Sequence, residues 1–174
     1  MKTVKKFFLC MMAFVNISCV NTTKQNSQTA DISDVTEVNS YIDNRLQTGD
    51  TPYLNAQLSG SESTIQVRTS TKSEYDIVAI VKHNNIIVRN AYIVAGESYT
   101  FHVPNGFYQV FFYGGKGWNP DKTMRDGVSG GFVADESFSK DSEVSLNYQG
   151  LEYELIPQPN GNFSTLQSNA SEMF

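Results

Sequence analysis

The sequence predicts an all-β protein: a single antiparallel β-sandwich of about seven or eight short strands. Three observations predict it. Apolar residues alternate with polar ones from Thr64 onward. Turn signals recur at close intervals, including "KHNN" at 82–85 and "PNG" at 104–106. No long helical segment follows a strand, which disfavours a parallel α/β sheet. At 174 residues, with 40% hydrophobic and 18% charged residues, the chain suits one globular domain.

The elements follow in order. Residues 1–18 read as a secretory leader outside the fold. Lys2, Lys5 and Lys6 form its basic region, and Phe7 to Val15 its apolar stretch. That stretch is too short for a membrane span, which needs about 20 residues. Residues 19–30 are polar and read as a flexible tether. In residues 31–49, Ile32, Val35, Val38, Ile42 and Leu46 recur at helical spacing. Ser33 or Asp34 can cap the start and Gly49 can end it, so a short amphipathic helix is expected.

Residues 50–174 hold the sandwich and an irregular C-terminal tail. Ile65 and Val67 alternate with Gln66 and Arg68. Tyr75, Ile77, Ala79 and Val81 share a face, yet Val78 and Ile80 make the opposite face apolar too. Residues 86–94 follow. Next, Tyr99, Phe101 and Val103 lie opposite Ser98, Thr100 and His102. After the "PNG" turn, Tyr108, Val110 and Phe112 face one way; Phe107, Phe111 and Tyr113 face the other. Only one of these faces can meet the sandwich core. The other is covered by the N-terminal helix or the tail, or is an apolar patch that needs a partner. "GGFVA", "VSLNY" and "LEYELI" are the later strands.

Cys19, preceded by Ile17 and Ser18, stands just past the apolar stretch. This resembles the relaxed lipobox of bacterial lipoproteins, with Val15 as the aliphatic residue one place beyond the usual −3. The resemblance implies a diacylglyceryl group on Cys19, which becomes the first mature residue. Val20, rather than an aspartate, implies the outer membrane. Cys10 leaves with the leader, so the mature chain has one cysteine and no internal disulfide. Loss of Lys2, Lys5 and Lys6 takes 13 basic residues to 10, against 18 acidic, a net charge of −8. Such a domain repels phosphate backbones, which argues against nucleic acid as a partner. Anionic headgroups are repelled as well, so membrane attachment rests on the lipid.

Residues 94–118, "VAGESYTFHVPNGFYQVFFYGGKGW", resemble the end of a transthyretin-like or carboxypeptidase-regulatory-like β-sandwich. "TPY" at 51–53, "DIVAIVKHNN", "GKGWNP", "GGFVADESFSKD", "LEYEL" and "NGNFST" add a resemblance to a domain recurring in membrane-anchored bacterial proteins. Both imply fold and location; neither brings an activity.

Candidate sites are few. Gly127-Val128-Ser129-Gly130-Gly131 fits the G-x-S-x-G pattern of serine hydrolases. Its flanks read as loop and strand, however, and both histidines, His83 and His102, lie upstream. A triad would need His102, with Asp121 or Asp126, beside Ser129. The alternative is a turn in which glycine supplies positive φ. "GGKG" is no phosphate loop, because Val110 stands where the first glycine belongs and Gly117 where Ser or Thr belongs. Two isolated histidines make no structural zinc site, and neither acidic stretch has calcium-loop spacing. No cofactor or metal is expected. Trp118 is the binding candidate, able to stack on a glycan or a protein partner's side chain, with Lys116 and Arg125 as donors. The competing account has Trp118 covering one end of the core.

These observations favour a lipid-anchored envelope protein with a non-enzymatic binding or assembly role. The alternatives are an inhibitory, immunity-type partner of another envelope protein, or a small hydrolase using Ser129.

Overall fold

The computed structural model describes residues 2–10, 40–157 and 166–174. The tether, residues 11–18 and the start of the expected helix lie outside the described residues. Among the described residues, ten strands form two facing sheets, as expected of an all-β sandwich. They are β1 (Lys2–Cys10), β2 (Ser63–Thr69), β3 (Asp76–His83), β4 (Ile86–Ile93), β5 (Ser98–Val103), β6 (Gly106–Thr123), β7 (Ser129–Lys140), β8 (Val144–Leu146), β9 (Gln149–Pro157) and β10 (Leu166–Gln167). One short helix, α1 (Ala170–Met173), follows. The two strands beyond the expected number are β1, which lies within the expected leader, and the two-residue β10.

One sheet has the order β1-β9-β2-β5; the other runs β10-β7-β6-β3-β4, with β8 on β6. Most strand pairings are antiparallel, as expected, and the departure is at β9. β9 runs parallel to both β1 and β2. Parallel neighbours need a long crossover, and here most of the other strands lie between β2 and β9 in the chain.

Turn chemistry sets the hairpins. Asn84 and Asn85 take φ of 51° and 62°, the paired positive values of the tight turn joining β3 to β4. At the β5–β6 turn, the Asn105 side-chain oxygen accepts from the Ser63 hydroxyl at 2.9 Å and the Tyr148 N–H at 2.7 Å.

The core between the sheets takes Ile65 and Val67, Ile77, Ala79 and Val81, Phe101 and Val103, Tyr108, Val110 and Phe112, and Leu151, Tyr153 and Leu155. Period-two alternation sends these side chains to one side of each strand. A second apolar cluster lies on the outer face of the β6 sheet. It comprises Tyr53, Val78, Ile80, Tyr92, Phe111, Tyr113, Trp118, Phe132 and Met173. This is why β3 is apolar on both faces: each meets a different core.

The cover over this outer face is intramolecular and comes from both flanks of the chain. Residues 41–58 form a strap. Ser40 is helical, and residues 41–49 are turn and irregular backbone, so the expected helix does not extend over 41–49. Sheet edges outcompete helical hydrogen bonds here. Gly49 N–H donates to the Tyr92 carbonyl at 2.9 Å, and Tyr92 N–H to the Asp50 carbonyl at 2.8 Å. Ala56 N–H donates to the Ile87 carbonyl at 2.9 Å. The strap thereby occupies the free edge of β4. From the other flank, α1 buries Met173 completely, and the Phe174 ring meets Tyr53 edge-on at 4.9 Å. Lys82, 4% exposed, donates to the Glu172 carbonyl at 2.7 Å and holds α1 in place.

Candidate functional site

The "GGKGW" stretch is strand, not loop. β6 runs through it for 18 residues, with shifts in register on both sides of Lys116 and Trp118. Its glycines serve close packing. A Cβ on Gly115 would stand 2.5 Å from Cβ of Phe132. Gly117 has φ +64°, and a Cβ there would meet the Tyr41 carbonyl oxygen at 2.5 Å. Only glycine lets the strap lie this close to β6.

Trp118 is therefore not presented to a ligand, which corrects its placement as a binding residue. The side chain is inside the outer cluster, and the residue is 2% exposed. Its ring meets Phe132 at 5.3 Å and Tyr92 at 5.6 Å, both edge-on, and Tyr53 at 6.3 Å. Asn44 fixes its backbone twice: Trp118 N–H donates to the Asn44 carbonyl at 2.8 Å, and Asn44 Nδ2 donates to the Trp118 carbonyl at 2.6 Å. A buried aromatic framed by other rings contributes its full apolar area to the fold.

Lys116 points away from this cluster into an acidic setting. Its ammonium is 3.2 Å from Glu74 and 3.6 Å from Asp135, and it lies over the Tyr75 ring at 4.7 Å. The hydrogen bond to Glu74 pushes its pKa up. Arg125 sits in a short 3-10 turn, Arg125–Gly127, about 3.8 Å from Asp126 and largely exposed. None of these contacts joins Trp118, Lys116 and Arg125 to one another, so the three do not form one site.

Ser129 opens β7 opposite Thr123, at the far end of β6. His83 closes β3, whose last pairing with β6 is Lys82 with Gln109, near the start of that strand. His83 Nδ1 faces the Phe107 carbonyl at 2.9 Å. His102 belongs to β5, in the other sheet, and is exposed. Neither histidine is brought to Ser129. The glycines of this motif have packing roles. Gly130, at φ +99°, passes under the Trp118 ring, where a Cβ would lie 2.8 Å from Cζ2. Its carbonyl accepts from the Tyr53 hydroxyl at 3.1 Å.

The densest buried polar chemistry lies elsewhere, at Asp76. This residue is 3% exposed at the start of β3. Arg45 of the strap grips it with both arms, Nε to Oδ2 at 2.7 Å and Nη2 to Oδ1 at 2.5 Å. The Tyr92 hydroxyl donates to Oδ2 at 2.5 Å, and Ala95 N–H to Oδ1 at 2.9 Å. Burial pushes the Asp76 carboxyl up. The hydrogen bonds from Arg45, Tyr92 and Ala95 outweigh it and hold the pKa below the ordinary carboxylate value. Burial, with the carboxylate beside it, pushes the Tyr92 phenol well up.

A second cluster joins Tyr113, Glu136 and Lys122. The Tyr113 hydroxyl donates to Glu136 and accepts from Phe132 N–H at 2.7 Å. Lys122 pairs with Glu136 at 2.7 Å. In both clusters the charged groups face structural partners, which is clamp chemistry. Sequence spacing did not reveal the Asp76 clamp, because Arg45 and Asp76 are 31 residues apart. The only hint was an aspartate opening an otherwise apolar run, "DIVAIV".

Among the described residues, no group of three or more His, Cys, Asp or Glu side chains is arranged to hold a metal ion. No family model, curated protein or solved structure matches the chain.

Proposed function

We propose that this chain is a lipid-anchored protein of the bacterial cell envelope, with a non-enzymatic binding or assembly role exercised through its β-sandwich. The observation that carries the proposal is at the N-terminus. Lys2, Lys5 and Lys6, then the apolar 7–15, lead to Cys19, the one cysteine left once residues 1–18 are removed. A thioether to lipid also removes a free thiol that export would otherwise leave reactive.

The character of the domain supports the non-enzymatic part. Asp76, Lys82 and Glu136 engage the strap, α1 and neighbouring strands. Ser129 has no histidine at its end of the sheet. Catalysis asks for a nucleophile, a base and an orienting group in mutual reach. By the lipoprotein resemblance, Val20 after Cys19 directs the protein to the outer membrane. The partner is a protein or a glycan.

Detergent phase separation of the chain produced in a bacterial host tests the anchor. The wild type enters the detergent phase, and Cys19→Ser stays in the aqueous phase. Equal partition of both proteins would defeat the proposal.

A further inference from the structure

We propose that the outer edge of β9 is a strand-accepting site, and that its occupant in the envelope is an extended segment of a protein partner that runs parallel to β9 and carries a basic and an apolar residue two positions apart. This rests on the leader being removed, as above.

In the full chain the edge is filled. β1 pairs with β9 along its whole length, from Lys2 with Gln149 to Cys10 with Pro157. All nine residues of β1 lie within the leader. Once they leave, β9 becomes the border of its sheet, and its outward N–H and C=O groups lose their partners. The strand does not depend on β1 for its shape. On its inner side it pairs with β2, Thr64 with Gly150 through Thr69 with Leu155. Leu151, Tyr153 and Leu155 anchor it in the sandwich core at 0%, 1% and 3% exposure. What remains is a preformed template for strand addition.

The edge has few of the usual guards. β9 has no lysine and no bulge, and its proline is the last residue. Its charged positions, Glu152 and Glu154, alternate with the core residues, so they belong to the opposite face of the sheet. In the full chain they stand in register with Lys5 and Phe7. The strand that fills the edge therefore brings a basic and an apolar residue to the two acidic positions. A second copy is a poor occupant. Antiparallel pairing of two β9 strands centred on Tyr153 would set Glu152 of each against Glu154 of the other, and like charges opposite one another destabilise. The net charge of −8 after leader loss adds to the preference for a basic segment.

The probe is a fluorescent peptide with the sequence of residues 2–10, carrying Cys10→Ser. It is titrated into protein extracted from envelopes and into the unprocessed full chain. The processed protein binds it saturably. The full chain, its edge already filled, binds at least about tenfold more weakly. A scrambled peptide that moves lysine and phenylalanine away from the positions of Lys5 and Phe7 also loses binding. Glu152→Lys with Glu154→Lys weakens binding roughly tenfold, as reversal of two cross-strand charge positions implies.

Absence of saturable binding to the processed protein overturns the proposal, as does equal binding of the scrambled peptide. A processed protein that sediments as a dimer and ignores the peptide puts a second copy on the edge and overturns it too. Peptide mapping of the extracted protein separates the two premises. Retention of residues 2–10 defeats leader removal and the open edge together. Their loss without peptide binding defeats the strand-accepting site alone.

Discussion

Asp76→Ala is the perturbation that most directly probes the clamp between strap and sheet. The carboxylate accepts from Arg45, Tyr92 and Ala95 at one buried point. Deleting it strands the Tyr92 hydroxyl, on a residue with 0% exposure, at a cost of about 1–3 kcal/mol. Arg45 is different. Its side chain is 51% exposed, so it returns to water, and the lost ion pair is discounted to about 1 kcal/mol or less. The expected loss is about 1–4 kcal/mol. For a chain of this size that lowers Tm by roughly 2–15 °C. The assay is thermal and urea unfolding followed by Trp118, the sole tryptophan, which sits under the strap. Tyr92→Phe should lose about 1 kcal/mol, since it removes one donor and leaves the ion pair. The pH dependence has a definite sign. A carboxyl whose folded pKa is depressed stabilises fully above its unfolded value, about 3.9. That contribution is lost as pH falls through the lower folded value. The gap between wild type and Asp76→Asn is therefore constant from neutral pH to about pH 5 and closes in stronger acid. An Asp76→Ala protein within about 0.5 kcal/mol of wild type would refute the clamp.

Other outcomes follow from the same packing. Trp118 emission should be blue-shifted and resist aqueous quenchers, and a red-shifted, freely quenched signal contradicts its burial. Gly117→Ala should destabilise by at least about 2 kcal/mol and loosen the strap, read by proteolysis near residues 41–49, because it adds a left-handed penalty to a collision with Tyr41. Met173→Ala should cost about 2 kcal/mol or more and raise binding of a hydrophobic dye, since α1 covers the outer cluster. Ser129→Ala, at an exposed position, should change stability by no more than about 0.5 kcal/mol.

The sandwich was legible where one strand face is wet. β2 and β5 alternate cleanly, and "KHNN" and "PNG" mark hairpins whose asparagines perform the turning and the bridging. The two apolar faces of 107–113 were legible as a problem, and the cover by strap and tail is its solution. Other features depended on tertiary contacts that no local window contains. Glycines at 114, 115 and 117 look like a loop; they are gaps into which Ile77, Phe132 and the strap fit. Apolar spacing at 42 and 46 looks helical, yet the edges of β4 and β6 bind this backbone in an irregular form. The parallel placement of β9 is a matter of chain crossover, to which strand periodicity is blind. Trp118 looked available because sequence gives residue type and neighbours, and burial here is set by Tyr53, Tyr92 and Phe132 from three other segments.

The mass of the N-terminal peptide of the protein taken from bacterial envelopes tests the proposed anchor. A chain that begins at Cys19 and carries a thioether-linked diacylglyceryl group is the expected result. A free thiol at Cys19, or a chain that begins at any other residue, would contradict it.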